Sequence, residues 1–201
     1  MRIDSVYYRF WIENREITEA WQQQLMKGED FFGLQTENPD LESFRTLRDN
    51  EGQSPLHYYC LFAKTDDLMR LIRSTRIPSD LWLESNQYGE NYLHYLAGRA
   101  DQALLEFLLS PELPKILKPL RSRTTNMQLN IFHFIGQGGD LKAIQFILSP
   151  ELPNEFITML SAEDSEGRNV FHFTARSGNL EAIKFILSLL ILRTSLLNLI
   201  S

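Results

Sequence analysis

Four histidines and one cysteine are the side chains of this sequence whose types most invite chemistry. His57, His94, His133 and His172 stand 37, 39 and 39 residues apart, and Cys60 lies just beyond the first. Imidazoles suggest a metal centre or a general base, but the spacing argues against both. One histidine per structural unit puts neighbours about as far apart as packed helices, ~8–10 Å between axes. Zinc requires several nitrogens at ~2.0–2.1 Å at once. Cys60 has no second cysteine with which to form an intrachain disulfide or a zinc knuckle, and it forms no nucleophile pair with histidines of structural role. No HExxH, GxSxG or kinase-type set occurs. Gly136-Gln-Gly-Gly139 lacks the strand and the GxxxxGK[ST] context of a phosphate loop. The aligned Ala175-Arg-Ser-Gly178 marks that position as a helix-ending turn. The sequence therefore nominates no catalytic, cofactor-binding or metal-ligating residue, and no cofactor is expected.

The histidines instead mark a repeated frame. The residue before each is Leu56, Leu93, Phe132 or Phe171, and three before come Ser54, Asn91, Asn130 and Asn169. Five before are Gly52, Gly89, Gln128 and Gly167, and eight before are Asp49, Asn86, Thr125 and Asp164, the composition of a turn. Small residues follow: Cys60, Ala97, Gly136 and Ala175, then Ala63, Ala100, Gly139 and Gly178, the packing face and end of a short helix. Beyond them Leu68, Leu71 and Ile72, with their counterparts Leu105/Leu108/Leu109, Ile144/Ile147/Leu148 and Ile183/Ile186/Leu187, draw one apolar stripe on a second helix. The aromatic residues after each histidine, Tyr58, Tyr95, Phe134 and Phe173, are expected in the core, the tyrosine hydroxyls needing partners or solvent.

Turn, short helix, turn, longer helix resembles the ankyrin repeat. Its T-P-L-H-x-A signature has counterparts in SPLHYYC (Ser54 to Cys60), NYLHYLA (Asn91 to Ala97), NIFHFIG (Asn130 to Gly136) and NVFHFTA (Asn169 to Ala175). Asn replaces Thr in three copies, only Pro55 keeps the proline, and the 37–39 residue period exceeds the family's ~33. The resemblance implies an all-α fold, an ankyrin-like solenoid of helix-turn-helix repeats with short β-turn connections. It also implies that His57, His94, His133 and His172 tie each turn to its helix. Degenerate, lengthened copies are similar to those of ankyrin proteins that intracellular bacteria deliver into host cells.

Three segments follow. Residues 49–187 hold the four repeats. Residues 1–48 are expected to form an N-terminal helical cap, in which Tyr7, Phe10, Trp11, Ile17, Trp21, Leu25 and Met26 recur at helical intervals, and a degenerate leading repeat whose second helix is Asp40 to Arg48. Residues 188–201 form an apolar tail with Arg193 as its one charge, read as a cap helix, as an interface for self-association or a membrane surface, or as a cut before further repeats. The extra length per repeat falls at Ser110-Pro-Glu-Leu-Pro114 and Ser149-Pro-Glu-Leu-Pro153, where an added short helix is expected.

A chain of 201 residues, 43% hydrophobic and 23% charged, can bury a core and is neither disordered nor a disulfide scaffold. Its net charge of −6 provides no broad footprint for nucleic acid, and the basic run Lys115, Lys118, Arg121 and Arg123 reads as a solvated face between repeats, the alternatives being a docking site for an acidic partner or a nuclear-import signal. Charges in the first fifteen residues interrupt any signal-peptide core, so a cytoplasmic location is expected, or delivery into a host cell on the resemblance above. The expected activity is non-enzymatic protein–protein interaction on a concave surface built from turn tips and first-helix ends. Phe62, Tyr88, Arg99, Met127 and Arg176 are the candidate partner-binding residues, aromatic and arginine anchors being favoured at interfaces. The Arg99/Arg176 stripe points to an acidic partner protein. The alternative is the targeting portion of a longer enzyme or effector with a catalytic domain beyond residue 201.

Overall fold

The computed structural model describes residues 20–27, 33, 40–74 and 76–189. Tyr7, Phe10, Trp11 and Ile17 of the expected cap lie outside them, as does the tail from residue 190. The described chain is all-α. The β feature among the described residues is one isolated antiparallel bridge, Ser85 with Asn91. No helix among them is long and apolar enough to cross a membrane.

Helix α1 (Ala20–Met26) and α2 (Leu41–Thr46) precede the repeats. The first helices of the four units are α3 (Pro55–Phe62), α6 (Tyr92–Gly98), α8 (Ile131–Gly138) and α11 (Val170–Ser177). The second helices are α4 (Thr65–Arg73), α7 (Gln102–Leu109), α9 (Leu141–Ile147) and a helix over 180–189. First helices pack on first helices in the order α3, α6, α8, α11, and α4, α7 and α9 form a second row. At the head, α1 lies on α3, with Trp21 edge-on to Tyr58 at 4.9 Å between ring centroids.

Each unit is built locally before it is packed. A turn side chain accepts two backbone N–H groups: Asp49 Oδ1 from Glu51 and Gln53, Asn86 Oδ1 from Tyr88 and Glu90, Thr125 Oγ1 from Met127 and Leu129, and Asp164 Oδ1 from Glu166 and Arg168. The glycine position of that turn is left-handed in every copy, at φ +76° in Gly52, +79° in Gly89 and +74° in Gly167. Gln128 occupies it at φ +63° despite its Cβ. A capping box then opens the helix, pairing Ser54 with His57, Asn91 with His94, Asn130 with His133 and Asn169 with His172.

The helix-ending residues keep the expected register at Ala63, Gly139 and Gly178, whereas α6 is capped one residue early at Arg99, with the expected Ala100 left-handed at φ +54°. The stripe of the second helix is buried in α4 and α7 and thins toward the C-terminal end, where Leu187 is exposed. The added helices start later than the SPELP segments predict. Ser110 and Ser149 instead make turns, their Oγ atoms accepting from the N–H of Glu112 and Glu151. Helical turns begin beyond the second proline: a 3-10 turn at Lys118–Ser122 in one copy, and a 3-10 turn at Asn154–Phe156 running into α10 (Ile157–Ser161) in the other. The counterpart between the first two units is α5 (Ser79–Trp82).

Candidate partner-binding surface

The four turns meet edge to edge. Gln87 N donates to Glu51 O at 3.1 Å, Asn126 N to Tyr88 O at 2.9 Å, and Ser165 N to Met127 O at 3.0 Å. Asn126 Nδ2 adds a bond to Gln87 O at 3.0 Å. Neighbouring tips are thus fixed relative to one another by main chain, and their side chains point from a common edge. Tyr88 is 44% exposed and Met127 46%, an aromatic ring and a thioether on adjacent tips. Glu51 and Glu166 flank them: the Tyr88 hydroxyl donates to Glu51 Oε1 at 3.4 Å, and Ser165, next to Glu166, donates to Met127 Sδ at 3.8 Å.

The first-helix half of the expected surface is withdrawn in the first three units except at Gln137, which is partly exposed. Leu61 and Phe62 are buried, as are Gly98, Arg99 and Gly138. The cause is the small residues. A Cβ on Gly138 would stand 2.7 Å from both Ala100 Cβ and Gly98 O, and one on Gly136 would stand 2.6 Å from Val170 O. First helices approach this closely only because those positions lack side chains, and the approach seals the row between them.

Arg99 must therefore be reassigned. It is 5% exposed, and its guanidinium reaches back to the preceding unit: Nη1 donates to Cys60 O at 3.1 Å and Ala63 O at 2.7 Å, and Nη2 to Thr65 Oγ1 at 3.1 Å. Those carbonyls are orphan acceptors at the end of α3, where a cation is also favoured by the helix dipole. Burial pulls its pKa down, and nearby Asp101 opposes that. Arg99 is a clamp between units, its unpaired Nε buried with the rest of the side chain, and the stripe it was to share with Arg176 is absent. Phe62 is core. Arg176 alone of the helix-end candidates is exposed, at the far end of the row. Arg121 of the basic run is likewise buried, donating to Ser110 O and lying over the Phe156 ring at 5.5 Å.

The histidines are links between units. The backbone N–H of Ser54, Asn91 or Asn130 donates to Nδ1 at 3.0 Å, which leaves the proton on Nε2. Nε2 of His57, His94 and His133 faces a carbonyl of the next turn region, Glu90 O at 3.4 Å, Arg123 O at 3.2 Å and Arg168 O at 3.1 Å. Burial pushes His94 down to about 4 and lowers His133 as well. His172 keeps the Nδ1 bond, from Asn169 N at 3.1 Å, but its ring is exposed. The aromatic residue after each histidine packs on the imidazole of the unit before: Tyr95 on His57, Phe134 on His94 and Phe173 on His133, at 5.0, 4.8 and 5.3 Å. The tyrosine hydroxyls are satisfied by carboxylates, Tyr58 donating to Asp49 and Tyr95 to Glu90, each at 2.9 Å.

Among the described residues no group of three or more His, Cys, Asp or Glu side chains is placed to hold a metal ion. The Cys60 thiol is buried, and desolvation raises its pKa far from the thiolate range. No family model matches the chain, and no curated protein matches it.

The turn tips are thus the one part of the expected surface that several candidates share. Tyr88 and Met127 come together there, Phe62 and Arg99 are removed to the interior, and Arg176 stands apart. Asn126, whose amide locks the two exposed tips together, carries no sequence signal beyond its place in a turn.

Proposed function

We propose that this chain is an ankyrin-like, non-enzymatic scaffold that binds a partner protein along its row of turn tips, with Tyr88 and Met127 as anchors. The observation that carries this reading is the Asn126 N to Tyr88 O bond, which sets an exposed aromatic and an exposed thioether side by side on a rigid edge. Rigid aromatic side chains lose little entropy on contact, and Met adapts to irregular apolar surfaces. The ankyrin-like reading is supported by the histidine capping boxes, the left-handed turn position and the tip-to-tip bonds, all repeated with the sequence period. With Arg99 withdrawn, the ground for an acidic partner is reduced to Arg176. The tips set acidic Glu51 and Glu166 beside apolar Tyr88 and Met127, which suits a partner presenting an apolar side chain among basic ones.

The test is site-specific crosslinking. A photoreactive phenylalanine analogue replacing Tyr88 is irradiated in lysate, with and without Met127→Glu. A discrete adduct that Met127→Glu abolishes supports the reading. An adduct indifferent to Met127→Glu, or none from position 88 while the same probe at Arg176 gives one, overturns the tip assignment.

A further inference from the structure

The tip row and the segment that connects the second unit to the third are opposite in charge. Residues 49–52, 86–89, 125–128 and 164–167 at the tips include Asp49, Glu51, Asp164 and Glu166 and no Lys or Arg. Residues 113–124 include Lys115, Lys118, Arg121 and Arg123 and no Asp or Glu. Nearer the N-terminal end, cations are answered by carboxylates roughly one period further on: Arg45 by Asp80 at 2.6 Å, Arg48 by Glu84 at 2.7 Å and Arg73 by Glu112 at 3.2 Å. Lys115, Lys118 and Arg123 have no such carboxylate among the described residues. The connecting segment 39 residues on places Asn154, Ile157 and Ala162 at the aligned positions.

This basic segment presents its cations from a fixed backbone. Leu113, Leu117 and Leu120 are buried, Asn91 Nδ2 donates to Leu120 O at 3.4 Å, and Arg121 is turned inward onto Ser110 O. From Lys115 the chain winds in turns that run into the 3-10 helix at Lys118–Ser122, and three residues per turn stack side chains i and i+3. Leu117 and Leu120 make the inner ridge. Lys115 with Lys118 and Ile116 with Pro119 make two outer ridges, both exposed. Among the described residues before Ile157, three large apolar side chains are exposed: Tyr88 and Met127 on the acidic tips, and Ile116, 42% exposed, beside the lysines. Being exposed, they do not cover one another within the chain.

We propose that a second copy of this chain occupies the tip row, Ile116 of one copy seating against Tyr88 and Met127 of the other and Lys115 and Lys118 drawn to the tip carboxylates. The contact rests on the tip row being the binding surface, and it supplies the apolar side chain among basic ones that this row suits. Arg168, bound to Asp164 and Glu166, tempers the fourth tip, which leaves Glu51, beside Tyr88, as the leading carboxylate. The two faces differ, so the contact is heterologous and closes into a ring or extends as an open chain according to the angle between them. Each copy has a net charge of −6, but at physiological salt repulsion between exposed charges is screened beyond about 8 Å, while charges shielded in a contact are screened much less.

Charge exchange tests this in the full chain by analytical ultracentrifugation. One variant carries Lys115→Glu and Lys118→Glu, a second Glu51→Lys and Glu166→Lys. Each alone sets like charges face to face and is expected to self-associate at least about tenfold more weakly than the parent. Their equimolar mixture is expected to recover association, because the reversed segment of the first meets the reversed tips of the second. A parent that stays monomeric at about 1 mM, or a mixture that associates no better than its components, overturns the proposal. Glu51 also accepts from Gln53 Nε2, so a reading without that substitution is needed. In the purified chain, the photoreactive phenylalanine analogue at position 88 is expected to crosslink to the peptide that holds Ile116, with a yield that falls on Ile116→Asp. Adducts elsewhere, or none, overturn the second copy as occupant. A monomeric parent whose position 88 still captures a different protein in lysate leaves the tip reading standing, whereas capture from position 176 alone removes both.

Discussion

The backbone N–H of Asn91 donates to Nδ1 of His94 at 3.0 Å, and Nε2 of the same ring reaches Arg123 O at 3.2 Å. A second proton on Nδ1 would face that N–H head-on, so the ring is held neutral by geometry as well as by burial. Burial is the larger cause, and with it the pKa falls from 6.5 to about 4. Stability owed to the neutral ring is therefore complete above the unfolded value and is lost as pH falls from 6.5 toward 4. The loss is of order 3 kcal/mol, or about 1.4 kcal/mol per unit. Urea unfolding at pH 7.5, 6, 5 and 4.5 should show this decline, and His94→Gln should flatten it. Some slope should remain, because His133 is lowered by burial in the same direction.

Arg99 is expected to behave as a core residue. Arg99→Ala strands the Cys60 and Ala63 carbonyls beneath the second unit, a loss of about 2–4 kcal/mol for a buried, charge-assisted set of hydrogen bonds. Arg176→Glu, at an exposed position, should stay within about 0.5 kcal/mol of the parent. Denaturant midpoints separate the two. Equal small effects would remove the clamp assignment.

Gln128 holds the left-handed turn position that glycine holds in the other units. Gln128→Gly should raise stability by about 0.5–1 kcal/mol, the relief of αL strain exceeding the added entropy of the unfolded chain. Thermal unfolding would register it as a rise of a few degrees. A fall would mean that the side chain contributes contacts that offset the strain.

Gly136→Ala should do the reverse. Its new Cβ would approach Val170 O to 2.6 Å and Phe173 Cβ to 3.1 Å, forcing α8 and α11 apart. A penalty of about 1–3 kcal/mol is expected, measurable in urea. Gly167→Ala meets nothing within 4 Å, and its cost should be that of its positive φ alone.

What could be read from the sequence was what is local. A capping box links residues three apart, an Asx-type turn residues two and four apart, and a helical stripe residues three and four apart, so the frame around each histidine is legible in one unit and confirmed by its copies. Arg99 was not legible, because its acceptors Cys60 and Ala63 lie 39 and 36 residues back and a pattern of types does not say which way a long side chain turns. The sealing of the first-helix row was half legible. Ala97 and Gly136 could be seen as a small-residue face, but Gly98 and Gly138 were expected at the open helix ends, and how closely the helices approach over them is a property of packing. The late start of the connecting helices followed from Ser110 and Ser149, whose hydroxyls hold the SPELP segments as turns.

The bonds from Gln87 to Glu51, Asn126 to Tyr88 and Ser165 to Met127 each join a unit only to its immediate neighbour. Cohesion in such an arrangement is passed along like the grip of a zip fastener, one tooth at a time, and is weakest at a tooth with a neighbour on one side. Under tension, or at the entrance of an unfolding machine, the chain should come apart stepwise from an end in increments of one period. The tips where Tyr88 and Met127 sit, the two inner ones of the four described, are the part of the edge that would hold its shape longest.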